Sequence, residues 1–137
     1  APLARLYREL PVNSIWEGSG NVMCLDVLRA FGKTPAAREA LAAELALAGD
    51  GHAAFAGYRA RLLADLDGPQ GDEFGARQLA ERIVLAVQAG LLLRHAPPFV
   101  AQAFLQSRLV QAPGGAYGRL PAGIDCPAIL ARALREY

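Results

Sequence analysis

The residues best able to do chemistry form one run, Ser14-Ile15-Trp16-Glu17-Gly18-Ser19-Gly20-Asn21, in which an acid sits beside an indole in a glycine-rich loop. A carboxylate flanked by Ile15 and Trp16 has partly dry surroundings, which disfavour the charged form and suit it to proton transfer near neutral pH. Glu17 is thus a candidate general base. Gly18 and Gly20 permit close backbone approach by a flat ligand. Ser19 or Asn21 can cap the helix that follows, whose free N–H groups favour anionic phosphate oxygens. A nucleotide cofactor would fit such a loop. An acid in a capped Gly/Ser loop is more commonly a turn residue alone, and residue types by themselves leave both readings open.

Other chemistries lack their residues. Cys24 and Cys126 are isolated thiols without CxxC spacing, and His52 and His95 have no partner of metal-ligand type at i+3 or i+4. Reduced cysteines, no metal and a cytoplasmic setting are expected. A net charge of +1 gives no bulk attraction to phosphate backbones or anionic lipids. The charge is also spread thinly: residues 1–33 carry +1, residues 34–96 carry −2 and residues 97–137 carry +2, so no strongly basic stripe emerges. The most apolar stretch, residues 83–93, is interrupted by Gln88 and Gly90 and falls short of the roughly 20 residues that a membrane span takes. The first residues run straight into an amphipathic pattern rather than a signal peptide, as in a chain cut from the middle of a longer one.

The elements that must position the loop are all helical. Leu3, Leu6, Tyr7 and Leu10 recur at helical spacing until Pro11, and residues 11–21 lose the period and read as loop. Residues 21–31 are apolar nearly all round, which predicts a helix buried on several sides and stopped by Gly32, with Met23 and Cys24 in the core. Thr34-Pro35 opens a helix to about residue 48, closed by Gly49-Asp50-Gly51. A fourth helix over 52–66 carries Phe55, Tyr58, Leu62 and Leu66 on one stripe. The longest, from about Asp72 to His95, points Leu79, Ile83, Val87 and Leu91 inward and sets Glu73, Arg77 and Glu81 as a charged ladder on the wet face. Pro97-Pro98 starts a helix through Val110, residues 113–118 form a long turn, and Asp125 caps a last helix through Leu134. No strand-like alternation and no repeat of 20 to 50 residues interrupts the pattern. The fold class is therefore all-α, an antiparallel helical bundle: a first part over 1–33, with short helix, loop and apolar helix, and the remainder over 34–137, together one unit.

Tyr7-Arg8-Glu9 followed by the run Pro11 to Arg29, PVNSIWEGSGNVMCLDVLR, resembles the acyl-CoA dehydrogenase family, in particular its AidB-like branch, named for an adaptive response to DNA alkylation. The resemblance implies the fold of the family's C-terminal helical domain, and it implies roles. Glu17 stands where the family's aromatic-Glu-Gly-Ser/Thr signature holds the base that removes the α-proton of an acyl-CoA thioester while a hydride leaves the β-carbon for FAD. Ser19 and Asn21 fall at positions that contact the flavin nucleotide, with Gly18 and Gly20 shaping the loop. Arg29 matches a position connected with the double-stranded DNA binding of that branch. The chain lacks the family's N-terminal helical and middle β domains, so the expectation is a C-terminal fragment, inactive and without bound FAD by itself, whose parent acts on acyl-CoA and forms a homo-oligomer. Two further readings are a DNA-binding flavoprotein of the alkylation-damage response and a helical oligomerisation module.

Overall fold

A computed structural model describes residues 2–14, 18–67, 73–110 and 123–133. Among these the regular structure is entirely helical, as the sequence pattern requires: α1 (Pro2–Glu9), α2 (Gly20–Lys33), α3 (Pro35–Ala46), α4 (Ala53–Asp67), α5 (Ala76–His95), α6 (Pro98–Phe104) and α7 (Cys126–Ala133). Short 3-10 turns follow α1 (Leu10–Ser14) and precede α5 (Glu73–Gly75), and a π-helical segment, Leu105–Val110, continues α6. No helix among the described residues is long and apolar enough to cross a membrane.

Helix ends follow local chemistry. Thr34 stands in extended backbone ahead of Pro35, whose missing N–H falls where a helix leaves donors unsatisfied in any case. The helix α3 closes at Leu47, and Gly49, at φ +69°, adopts the left-handed conformation that turns the chain toward α4. Asp125 accepts a hydrogen bond from the Ala128 backbone N–H (3.0 Å) and so caps α7, as its position before an apolar run predicts. Arg94 and His95 lie in the last turn of α5, where positive charge meets the helix dipole favourably. Arg94 also reaches Glu44 at 2.7 Å and ties α5 to α3.

The core forms where α3, α4 and α5 meet the π-helical segment. Leu45, Phe55, Leu62, Leu66, Ala86, Ala89 and Leu105 are buried together, with Leu41, Tyr58, Leu79, Ile83 and Val87 packed against them. The stripe expected on α4 is thus the stripe the fold buries, Tyr58 alone being half-exposed. On α5 the expectation needs correction: Leu91 is exposed, and the most buried positions are the small residues Ala76, Ala86, Ala89 and Gly90. Small residues win there because they let backbones approach. A Cβ placed on Gly90 would lie 3.5 Å from Phe55 Cζ, 3.9 Å from Ala48 Cβ and 4.0 Å from Leu45 Cδ2. These are ordinary contacts, and alanine is more favourable than glycine by about 0.8–1 kcal/mol within a helix. Gly90→Ala is therefore expected to raise the thermal midpoint slightly, whereas Gly90→Leu lowers it by driving into the Phe55 ring; circular dichroism melts of both distinguish the outcomes.

Further expectations are corrected. The loop expected over 11–21 begins as a 3-10 turn. The helix α2 runs through Gly32 to Lys33, so Gly32 does not stop it, and none of its residues is fully buried. Met23, expected in the core, is exposed, and so are Val22, Leu3, Leu6, Tyr7 and Leu10. The helix from Pro98 runs to Val110 as expected, its last part as the π-helical segment Leu105–Val110. The Ser107 hydroxyl donates to the carbonyls of Ala103 (2.7 Å) and Phe104 (3.3 Å), competing for acceptors of the main-chain ladder just where it widens into the π-helical segment. The start of the long helix at Asp72, the turn over 113–118 and Leu134 lie outside the described residues.

Candidate functional site

The glycine-rich loop leads directly into α2. Gly18 has φ +112°, a backbone conformation that side-chain-bearing residues rarely adopt, so glycine is required there by geometry. Ser19 follows in extended backbone (φ −64°, ψ 146°) as the N-cap residue, and its carbonyl accepts from the Met23 N–H at 3.2 Å. Its hydroxyl makes no capping bond to the helix, contrary to one expectation from its type, and is exposed. The first turn begins with Gly20 and Asn21, both exposed, and contains no acidic side chain. The positive end of the α2 dipole therefore faces outward with its N–H groups, the arrangement that favours an anionic ligand.

The fold adds a residue whose position near the loop the sequence did not show. Arg77 is exposed, as a rung of the expected charge ladder on α5, and a Cβ on Gly20 would lie 3.9 Å from Arg77 Nη1 and 4.0 Å from Nη2. The guanidinium thus lies over the start of α2, 57 positions away in sequence, because α2 makes its most extensive contact with α5. A positive side chain and a positive helix end together would repel one another without an anion or solvent between them. No local signal could have revealed this, since it arises from helix packing alone.

Arg29 sits on an exposed part of α2 and is paired with Asp26, three residues earlier, at 2.8 Å. Glu17, Trp16 and Ile15 lie outside the described residues. Cys24 and Cys126 are free thiols, half-buried, and no group of three or more His, Cys, Asp or Glu side chains suited to a metal occurs among the described residues.

Over 107 residues, 78% of this chain, the sequence is 40% identical to an Escherichia coli (strain K12) protein named "Putative acyl-CoA dehydrogenase AidB", of whose length the match covers 19%. The chain belongs to the acyl-CoA dehydrogenase family. Within it the chain is AidB-like, and its all-helical architecture fits the family's C-terminal helical domain. The chain spans about a fifth of the length of that relative. No family model matches the sequence, and no solved structure matches it.

The strained position in the loop gives a direct test of local geometry. Gly18→Ala forces a Cβ onto a φ of +112° and is expected to cost about 1–3 kcal/mol. Gly20→Ala, whose backbone is ordinary and whose new Cβ meets Arg77 at 3.9 Å, should cost much less. Thermal melts of the two variants side by side check this, and equal losses would contradict the loop geometry.

Proposed function

We propose that this chain supplies the catalytic base and part of the flavin site of an FAD-dependent acyl-CoA dehydrogenase-like protein that removes hydrogen across the α,β bond of an acyl-CoA thioester. The observation that carries the reading is the juxtaposition of the Glu17-Gly18-Ser19-Gly20-Asn21 signature with an outward-facing, acid-free α2 N-terminus at 40% identity to a relative named for that activity. FAD, when bound, supplies the acceptor for the hydride that leaves the β-carbon.

The chain's own residues divide the remaining work. Glu17 takes the α-proton on a carboxylate oxygen, a role favoured where neighbours such as Ile15 and Trp16 limit its hydration. Ser19 and Asn21 offer a hydroxyl and a carboxamide toward the nucleotide, and neither is consumed by capping α2. Gly18 turns the chain so that these groups follow one another at the helix start. The exposed N–H groups of α2 and the Arg77 guanidinium suit the charge of a nucleotide phosphate, so the residues present fit the cofactor. Within this 137-residue chain the base alone oxidises nothing, because orientation and redox chemistry must be assembled with the rest of the protein.

The alternative of DNA recognition draws less support. Arg29 is already committed to Asp26, and the net charge of +1 supplies little attraction to a duplex. The test is to purify the full-length protein and identify its chromophore and ligands. Stoichiometric FAD, with retention weakened by Ser19→Ala and Asn21→Ala, supports the proposal. A flavin-free protein with steeply salt-dependent duplex binding would overturn it in favour of DNA recognition.

A further inference from the structure

A charged, open groove lies between α4 and α5, with a volume of about 470 Å³. Tyr58, Arg61 and Asp65 fall at i, i+3 and i+7 on α4, and Gln78 and Arg82 at i and i+4 on α5, so helical periodicity sets both groups facing the same groove. Leu109, from the π-helical segment, supplies an apolar wall. Such segments often mark functional positions in helices.

The two guanidinium groups of this cleft differ in their commitments. Arg82 forms an ion pair with Asp65 and hydrogen-bonds with the Tyr58 phenol. Arg61, exposed at the mouth, makes no ion pair among the described residues, whereas Arg59 and Arg94 of the same bundle are paired with Asp50 and Glu44. The lining charges of Arg61, Arg82 and Asp65 leave one positive charge in excess. Glu81, which immediately precedes Arg82 on α5, is exposed outside the lining, and its charge, which acts on Tyr58, partly offsets that excess. The lining is rich in donors: two guanidinium groups, with a phenol and a carboxamide that can each donate as well as accept, surround one carboxylate already engaged by Arg82. Burial raises the Tyr58 pKa, with the two arginines opposing it, so the phenol keeps its proton at neutral pH.

We propose that this groove binds a small phosphate-bearing anion, held by the exposed Arg61 and Gln78 at its rim and by the half-buried Arg82 and Tyr58 below. An open groove of this size admits a small anion rather than burying a large ligand, and a guanidinium without a carboxylate partner is the group best matched to phosphate oxygens. The site is separate from the flavin reading and stands or falls independently of it.

The test is isothermal titration of the full-length protein with inorganic phosphate and with adenosine monophosphate, against chloride at matched ionic strength. Saturable phosphate binding is expected, weakened about tenfold or more by Arg61→Gln, since charge-assisted bonds are the strong ones. Gln78→Glu, which adds a negative charge to the lining, should abolish it, and Arg132→Gln on α7, outside the lining, should leave it unchanged. Tighter binding of adenosine monophosphate than of phosphate identifies a phosphate ester as the ligand, and equal affinity identifies free phosphate. Heats no larger than those of chloride, or full binding retained in Arg61→Gln and Gln78→Glu, would overturn the proposal.

Discussion

Glu17→Gln in the full-length protein is expected to slow flavin reduction by an acyl-CoA thioester about 10²- to 10⁴-fold, the usual worth of a positioned general base. That range corresponds to about 3–5 kcal/mol of transition-state stabilisation. Glutamine keeps the shape and hydrogen-bonding reach of the side chain but cannot accept the α-proton. Flavin content and thioester affinity should therefore change little while the rate of reduction collapses. Stopped-flow traces separate these quantities, and an unchanged reduction rate would remove Glu17 from the role. The effect is expected to be larger than that of any cofactor-contact variant, because Ser19 and Asn21 share their work with neighbouring groups and Glu17 does not.

The largest structural effect is expected at Phe55. Its ring is fully buried, meets α5 where Gly90 lets the backbone approach, and has the Arg59 guanidinium 6.0 Å from its centroid. Phe55→Ala leaves a cavity that Leu45, Leu62 and Ala89 cannot collapse to fill, at a cost of about 3–5 kcal/mol. Loss of the cation over the ring adds a smaller amount. Against a total stability of about 5–15 kcal/mol for a domain, that is enough to lower the thermal midpoint by roughly ten degrees or more. Val84→Ala, at an exposed position of the same bundle, should shift it by little. Equal shifts for the two variants would show that the core is not organised around Phe55.

What could be read from residue order alone was what local chemistry decides. Thr34-Pro35 opens α3, Asp125 caps α7 and the Phe55, Leu62, Leu66 stripe is buried, because each depends on a propensity, a cap or a period within one helix. The failures come where neighbours decide. Residues 21–31 are apolar enough for a core helix, yet α2 has no fully buried residue, because apolarity says what a helix would gain by burial and not what lies beside it. Leu79, Ile83 and Val87 of the expected α5 stripe do pack against the core, but Leu91 is exposed, and close packing against Phe55 and Leu45 puts Ala86, Ala89 and Gly90 at the most buried positions. Where α6 widens from Leu105, the Ser107 hydroxyl competes for main-chain acceptors, a local effect that periodicity does not weigh.

The candidate site divides in the same way. The residue types of Gly18 to Asn21 suggest a ligand loop, and the resemblance to acyl-CoA dehydrogenases names their roles. Gly18 proves to need its positive φ, a requirement that the sequence only permits. Arg77, by contrast, is exposed as its i,i+4 spacing with Glu81 implies, but that spacing does not show that the packing of α5 on α2 brings it to Gly20.

The central claim is tested most directly by mixing the flavin-loaded full-length protein, without oxygen, with a panel of acyl-CoA thioesters of increasing chain length and following the flavin absorbance. Bleaching with at least one thioester, accompanied by formation of the α,β-unsaturated product, is the result predicted here. A flavin-loaded protein that stays oxidised with every thioester would contradict it.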